Sequence, residues 1–273
     1  MGNITIETGT TELLCHIEDR VGVITLNKPD KKNALGDILT PALRRTLLSL
    51  EDDNRAGCIL ITGSGSAFCS GGDVSGMAGE SKPQHKEERI ADLLHKQITL
   101  TQRLHQLNKV TIAALPGAAA GAGLSIALAC DLRIASDNAF ITTAFRNIGL
   151  SGDYGTSWFL PRLIGMGKAK ELFYRSARVN AAEAERLGIF NCVFPQHSFR
   201  QDMMTYASQI ANGPTNALSR MKINLNASLD QSLSESLALE AKHLIDSAGT
   251  AESKEAISAF MQKRSPVFHD PDS

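Results

Sequence analysis

Phe68-Cys69-Ser70-Gly71-Gly72-Asp73 and Pro116-Gly117-Ala118-Ala119-Ala120-Gly121-Ala122-Gly123 are two runs whose backbone N–H groups stand almost clear of side chains. Two such turns can aim two amides at one oxygen. That is an oxyanion hole, in which donors fixed beforehand stabilise charge developing on a carbonyl, each worth roughly 2.7–4 kcal/mol. Other chemistries compete for the second run. Gly123-Leu124-Ser125-Ile126-Ala127 approximates the G-x-S-x-G nucleophile elbow, with His197, His243 and His269 downstream. Its fifth position is alanine, however, and a small polar residue in an Ala-rich turn also serves simple helix-start packing. The glycine spacing resembles a dinucleotide-binding turn too, but it sits mid-chain instead of opening a first β-α unit. The histidines show no H-x-x-x-H or Cys/His ligand pattern, so the sequence gives no support for a metal site.

The elements that must position these turns are strands. Each run follows a short β-branched stretch, Cys58 to Thr62 and Val110 to Leu115. Further strand-like runs are Leu13 to Ile17, Val21 to Leu26, Leu132 to Ala135, Ala139 to Thr143 and Asn191 to Phe194, and Ile4-Thr5-Ile6 reads as a first strand. Between them Pro41 to Glu51 and Glu88 to Leu107 carry apolar residues at three- and four-residue steps, so strands and helices alternate as in an α/β fold. After Pro214 only helices are expected: Leu218 to Asn226, Leu233 to Ile245, and Ser253 to Lys263, the last with Ile257, Phe260 and Met261 on one face. Residues 74 to 90, polar and rich in breakers, read as a surface loop or a lid.

Composition narrows the classes of function. A net charge of -1 over 273 residues offers no general attraction to nucleic acid or anionic membrane. The five cysteines form no C-x-x-C pair and fit reduced, buried thiols in a cytoplasmic protein. The N-terminus has no signal-peptide pattern. The uncharged stretch from Val110 to Cys130 is mostly Ala and Gly, broken by Pro116-Gly117, and reads as a buried strand, turn and helix, not a membrane span.

The two runs, together with Val23-Ile24-Thr25-Leu26-Asn27-Lys28-Pro29, Asn33-Ala34-Leu35, Ala129-Cys130-Asp131-Leu132-Arg133-Ile134-Ala135, Leu160-Pro161-Arg162-Leu163-Ile164-Gly165 and Ala259-Phe260-Met261-Gln262-Lys263-Arg264-Ser265-Pro266, resemble the crotonase, or enoyl-CoA hydratase/isomerase, superfamily. The resemblance implies a crotonase spiral of β-β-α turns over residues 1–197 and a helical oligomerisation region over 198–273. It also implies self-association as a trimer or a dimer of trimers. The amides of Gly72 and Ala122 take the place of the family's oxyanion donors for the thioester carbonyl of an acyl-CoA. Coenzyme A enters as part of the substrate, and no separate cofactor is expected.

The acid/base departs from the hydratase pattern. Ser125 stands where family hydratases carry one catalytic glutamate, and Ala144 is nearest the position of the other. Asp153, in Ile148-Gly149-Leu150-Ser151-Gly152-Asp153-Tyr154-Gly155, instead resembles the aspartate of the 3-enoyl-CoA and epoxyphenylacetyl-CoA isomerase branch. An aspartate between glycines also suits an N-cap for the helix that follows. The implied reaction is double-bond isomerisation of an unsaturated acyl-CoA. A hydratase using Asp153 and a non-catalytic acyl-CoA-binding paralogue are the alternatives. Substrate-binding positions carried over by the resemblance are Lys28, Lys31, Ala34, Ser70, Asp73, Gly123, Ser125, Phe260 and Lys263. The lysines also fit an ordinary solvated turn, and Phe260 a plain packing role.

Overall fold

The computed structural model describes residues 3–73 and 85–269. Strands β1 (Ile4–Thr5), β2 (Leu13–Glu18) and β3 (Val21–Leu26) run antiparallel to one another in order. From β3 the sheet continues in parallel through β4 (Cys58–Gly63), then to β6 and β8 described below. All six residues of β4 are buried, as expected of a central parallel strand covered on both faces.

The chain builds two layers by repetition. β4 is followed by β5 (Ala67–Cys69), β6 (Val110–Leu115) by β7 (Ala118–Ala120), and β8 (Leu132–Ser136) by β9 (Phe140–Thr142). The first strand of each pair joins the large sheet, in the order β1-β2-β3-β4-β6-β8-β11 with β11 (Cys192–Phe194) at its edge. The second joins a small sheet, in the order β10-β9-β7-β5 with β10 (Val179–Asn180). Helices follow in turn: α1 (Leu39–Asp52) after β3, α2 (Lys86–Gln97) and α3 (Arg103–Gln106) after β5, and α4 (Ala122–Ala129) after β7. After β9 come α5 (Thr156–Ile164) and α6 (Met166–Arg175), and α7 (Ala181–Arg186) follows β10. The β-β-α repetition expected from the resemblance is therefore present.

Side-chain alternation on the large sheet feeds two cores. Ile24, Leu26, Ile59 and Ile61 face α1, α4 and the small sheet. Val21, Val23, Cys58, Leu60, Ile112 and Ile134 face Phe199, Met203, Ala207 and Ala211 of α8 (Phe199–Ala211). Gly57 permits that closure, because a Cβ there would lie 2.0 Å from the Ala211 carbonyl oxygen. Helix α8 begins before Pro214, so the helical region after residue 198 starts with an element that covers the sheet. Next, α9 (Thr215–Ala227) is pinned to the body by Lys222, whose Nζ lies 2.8 Å from Asp131 Oδ2. The same Asp131 oxygen accepts from the Thr111 amide and hydroxyl. Beyond it, α10 (Leu233–Ala248) and α11 (Ala251–Met261) leave Leu233, Leu244, Ile245, Ile257, Phe260 and Met261 exposed.

Three differences from the sequence reading have local causes. The helix expected over Glu88 to Leu107 is interrupted by a π-helical turn at Ile98–Gln102, where the Thr99 and Thr101 hydroxyls bond back to the His95 and Gln97 carbonyls. Strands β5 and β7 have three residues each, too few for any periodicity. Residues 74–84 of the expected loop or lid lie outside the described residues, and helix already begins at Lys86. Among the described residues no helix is long and apolar enough to cross a membrane, in line with the reading of Val110 to Cys130.

Candidate active site

The two glycine-rich turns meet. Gly71 has φ +100, and a Cβ on it would lie 2.9 Å from the Ala120 carbonyl oxygen and 3.5 Å from the Ala122 amide nitrogen. A Cβ on Gly123 would lie 2.3 Å from the Cys69 carbonyl oxygen, so both turns demand glycine for close backbone approach. Beside them the chain makes one parallel bridge: Leu35 N–H donates to Gly71 O (2.8 Å) and Asp73 N–H to Leu35 O (2.9 Å). This pairing uses the neighbours of Gly72 and leaves the Gly72 amide out of the ladder. Ala122 is the first residue of α4, where helix N–H groups have no intrahelical acceptor and the helix dipole favours negative charge.

Gly72, Ala122 and Asp153 all line one cavity of about 530 Å³. Asp153 is aimed into it by a turn in which Gly152, Tyr154 and Gly155 all have positive φ (116°, 49° and 85°). It is not the N-cap of α5. Gly155 holds that place, and no side chain caps the helix. The Asp153 carboxyl therefore spends no hydrogen bond on the fold. Its Oδ1 is buried without a partner among the described residues, and burial pushes its pKa from 3.8 up to about 6.

Ser125 has a different place from the one expected. Its hydroxyl is fully buried and bonds to Gly121 O (3.2 Å), Asp153 O (3.1 Å) and the Thr156 hydroxyl, so it ties α4 to the Asp153 turn and does not line the cavity. Ala144 is left-handed, φ 59, at the head of a 3₁₀ turn over Phe145–Ile148, and brings no carboxylate.

Of the remaining sequence-derived positions, Lys28 and Asp73 line the cavity. Lys28 Nζ lies between Glu12 (3.7 Å) and Asp73 (3.9 Å). Lys31 and Ser70 are exposed at its rim loop, with Ser70 N–H donating to Lys32 O. Ala34 and Gly123 are buried as backbone neighbours of the turns. Phe260 is 81% exposed near the end of α11 and Lys263 lies exposed just beyond it, and neither lines this cavity in its own chain.

The structure also supplies residues that sequence reasoning missed. Asn33, fully buried, accepts from Lys28 N–H and donates to Ser64 O and Ala67 O, fixing the 28–35 loop against β5. Arg44 and Lys96, from α1 and α2, line the cavity with Tyr154. Asp37, Thr40, Pro41 and Arg44 share a helical face by their spacing, but nothing in the sequence marks that face as cavity and not solvent. A second cavity, of about 590 Å³, is lined by Gly155, His105, Trp158, Phe159 and Ile223. Although larger, it is lined by none of Gly72, Ala122 and Asp153.

All five cysteines are free. Cys15, Cys58, Cys69 and Cys130 are buried, and burial pushes their thiols up to about 12.

A two-layer β-β-α spiral thus brings the Gly72 and Ala122 backbones and the buried Asp153 carboxyl to a single cavity. The chain matches the enoyl-CoA hydratase/isomerase family over residues 16–271, and it belongs to that family of acyl-CoA-processing enzymes. It is 35% identical over 253 residues to a Rhodobacter capsulatus protein named "Probable enoyl-CoA hydratase", covering 92% of this chain and 95% of that one. It is 32% identical over 257 residues to the 1,2-epoxyphenylacetyl-CoA isomerase of Escherichia coli, covering 94% and 97%. Its fold matches the crystal structure of an enoyl-CoA hydratase from Polaromonas sp. JS666 with a TM-score of 0.87 at 31% identity, covering 93% and 98%. Hydratase names are the more common among the relatives. The fold is thus the crotonase fold.

Proposed function

We propose that this chain isomerises the double bond of an unsaturated acyl-CoA, with Asp153 as its single acid/base. The observation that carries this reading is the unpartnered Asp153 carboxyl, raised to about 6, in the same cavity as the Gly72 and Ala122 amides. A carboxyl near that value can take and return a proton at neutral pH. The thioester oxygen accepts from the two amides. Asp153 removes a proton from the α carbon, and the electron pair of that C–H bond is spread over the dienolate and its oxygen, where the amides and the α4 dipole stabilise it. The protonated Asp153 then delivers the proton to the γ carbon, a γ C–H bond forms, the double bond comes to rest beside the thioester, and the carboxylate is regenerated. Coenzyme A is carried in with the substrate, its phosphates meeting lysines of the 28–32 loop, and no other cofactor takes part. The exposed apolar residues of α10 and α11 favour assembly into trimers, with Lys263 serving a neighbouring subunit's site.

Hydration is the second reading, favoured by the names of most relatives. It needs a second group to handle water, and Ser125, buried and bonded to backbone, is poorly placed to supply one. The test is to supply trans-3-hexenoyl-CoA and crotonyl-CoA separately in deuterated water. Formation of the conjugated 2-enoyl product from the first, without hydration of the second, supports the isomerase. Hydration of crotonyl-CoA with no movement of the 3-double bond overturns it.

A further inference from the structure

Arg44 bears on the acyl group itself, on the reading that the cavity beside Asp153 receives an acyl-CoA. Thr40, Pro41 and Arg44 form a stripe of α1 along the cavity, while Leu39, Leu43 and Leu47 of the same helix are buried in the core. The Arg44 guanidinium is held in place: one terminal nitrogen donates to Lys96 O at 3.1 Å, and Tyr154 lines the same cavity beside it. Its Nε is buried with no partner, and among the described residues no carboxylate forms an ion pair with it.

The other charges around the cavity are accounted for differently. Lys28 lies between Glu12 and Asp73, and the Lys96 ammonium lies 2.6 Å from Asp92. Asp37 is exposed at the head of α1. Asp153 is shifted upward by burial alone, whereas a guanidinium at ion-pair distance would hold it down. Arg44 and Asp153 therefore line the same space without pairing. A buried N–H left unsatisfied is costly, and a guanidinium fork fits a carboxylate in a two-point contact.

We propose that Arg44, steadied by the Lys96 carbonyl, receives a carboxylate carried by the acyl group. The preferred substrates are then mono-CoA thioesters of dicarboxylic acids, in preference to plain fatty acyl thioesters.

Saturated ligands separate this binding from turnover. Affinities of succinyl-, glutaryl- and adipyl-CoA are compared by isothermal titration calorimetry with those of butyryl-, valeryl- and hexanoyl-CoA, matched in chain length. At least one dicarboxylic thioester is expected to bind about tenfold or more tightly than its partner. Arg44→Met should abolish that preference while leaving the monocarboxylic affinity within about threefold, and Arg44→Lys should restore part of it. Ratios near one for the wild type at all three lengths overturn the proposal without need of any variant. An equal loss for both ligand types in Arg44→Met also overturns it, since the guanidinium would then serve the coenzyme or the fold. Should Arg44→Met fail to fold, Arg44→Gln, which keeps donors but loses the charge and the fork, must still lower the dicarboxylic preference, and an unchanged ratio counts against it. If the wild type binds none of the six thioesters, the acyl-CoA reading of the cavity fails and this inference with it. Binding without discrimination sinks this inference alone.

Discussion

Replacing Asp153 with asparagine should make the protein more stable and nearly inactive at once. The carboxyl makes no fold-holding hydrogen bond through Oδ1, and its pKa lies near 6 where an unperturbed aspartate has 3.8. Because the folded chain holds this proton more tightly than the unfolded chain, the stability tied to it is fully present below about pH 4. It is lost as pH rises from about 4 to about 6, and it stays lost above. The span sets a ceiling of about 3 kcal/mol. Water reaching the open, half-buried site reduces that to about 1–2 kcal/mol. Asp153→Asn removes the ionised form, so thermal melts at pH 8 should place the variant roughly 2–6 °C above the wild type, with the gap narrowing at pH 4.5 and closing below about pH 4. In the same preparations, turnover of trans-3-hexenoyl-CoA should fall by about 10² or more with modest change in KM. The wild-type kcat/KM should rise with pH through a single ionisation near 6, as the base form is populated. A variant that keeps near-wild-type turnover, or one whose stability relative to wild type is the same at pH 4.5 and pH 8, would refute the argument.

Other substitutions test the frame around this carboxyl. Gly72→Pro removes an amide that the ladder does not use, so circular dichroism should be unchanged while turnover drops by about 10². Gly123→Ala places a methyl 2.3 Å from the Cys69 carbonyl oxygen and should cost about 2 kcal/mol or more in urea unfolding, with loss of activity as the turns separate. Lys222→Met strands Asp131 in a site it now shares with Thr111 and should destabilise by about 3 kcal/mol, visible as a lower midpoint at unchanged m-value. Deleting residues 250–273 should shift sedimentation from an oligomer to smaller or aggregated species. A full-length chain that sediments as a monomer at micromolar concentration would contradict the assembly proposed above.

The layer order was readable in the sequence where strands are long and β-branched. Cys58 to Thr62 and Val110 to Leu115 came out at nearly those bounds as β4 and β6, because central strands carry a dense apolar signal. Of the small sheet, Ala139 to Thr143 was readable and is β9, whereas β5, β7 and β10 were not. Ala118–Ala120 pairs through its backbone, and an alanine run carries neither a period-2 nor a β-branched signature. Helix α8 lies in the helical region that the resemblance puts from residue 198, but the residue pattern did not show it: its buried face is Phe199, Met203, Ala207 and Ala211, half of it alanine. In the site, Gly72, Ala122 and Asp153 could be named because glycine patterns and family register survive in one dimension, and all three line one cavity. Ser125 could not be placed, since whether a hydroxyl faces a cavity or a backbone carbonyl depends on the partner element, here the Asp153 turn. Lysines at the family's phosphate positions say nothing of neighbours, and Lys28 turns out to lie between two carboxylates. Arg44 was hidden for the opposite reason: a cation on an amphipathic helix reads as solvated unless one knows that a cavity lies above it.

The buried thiols have a consequence for a protein that handles thioesters. An acyl-CoA is an acyl donor to any thiolate that reaches its carbonyl, and Cys69 sits only three residues from the Gly72 amide. A reactive sulfur there would capture the acyl group in self-acylation and silence the enzyme with its own substrate. Cys69 is instead fully buried, and burial pushes its thiol up to about 12, which keeps it protonated at neutral pH. Close packing around Cys69 and Gly123 thus both holds the two glycine-rich turns together and keeps a latent nucleophile protonated in an acyl-CoA-processing enzyme.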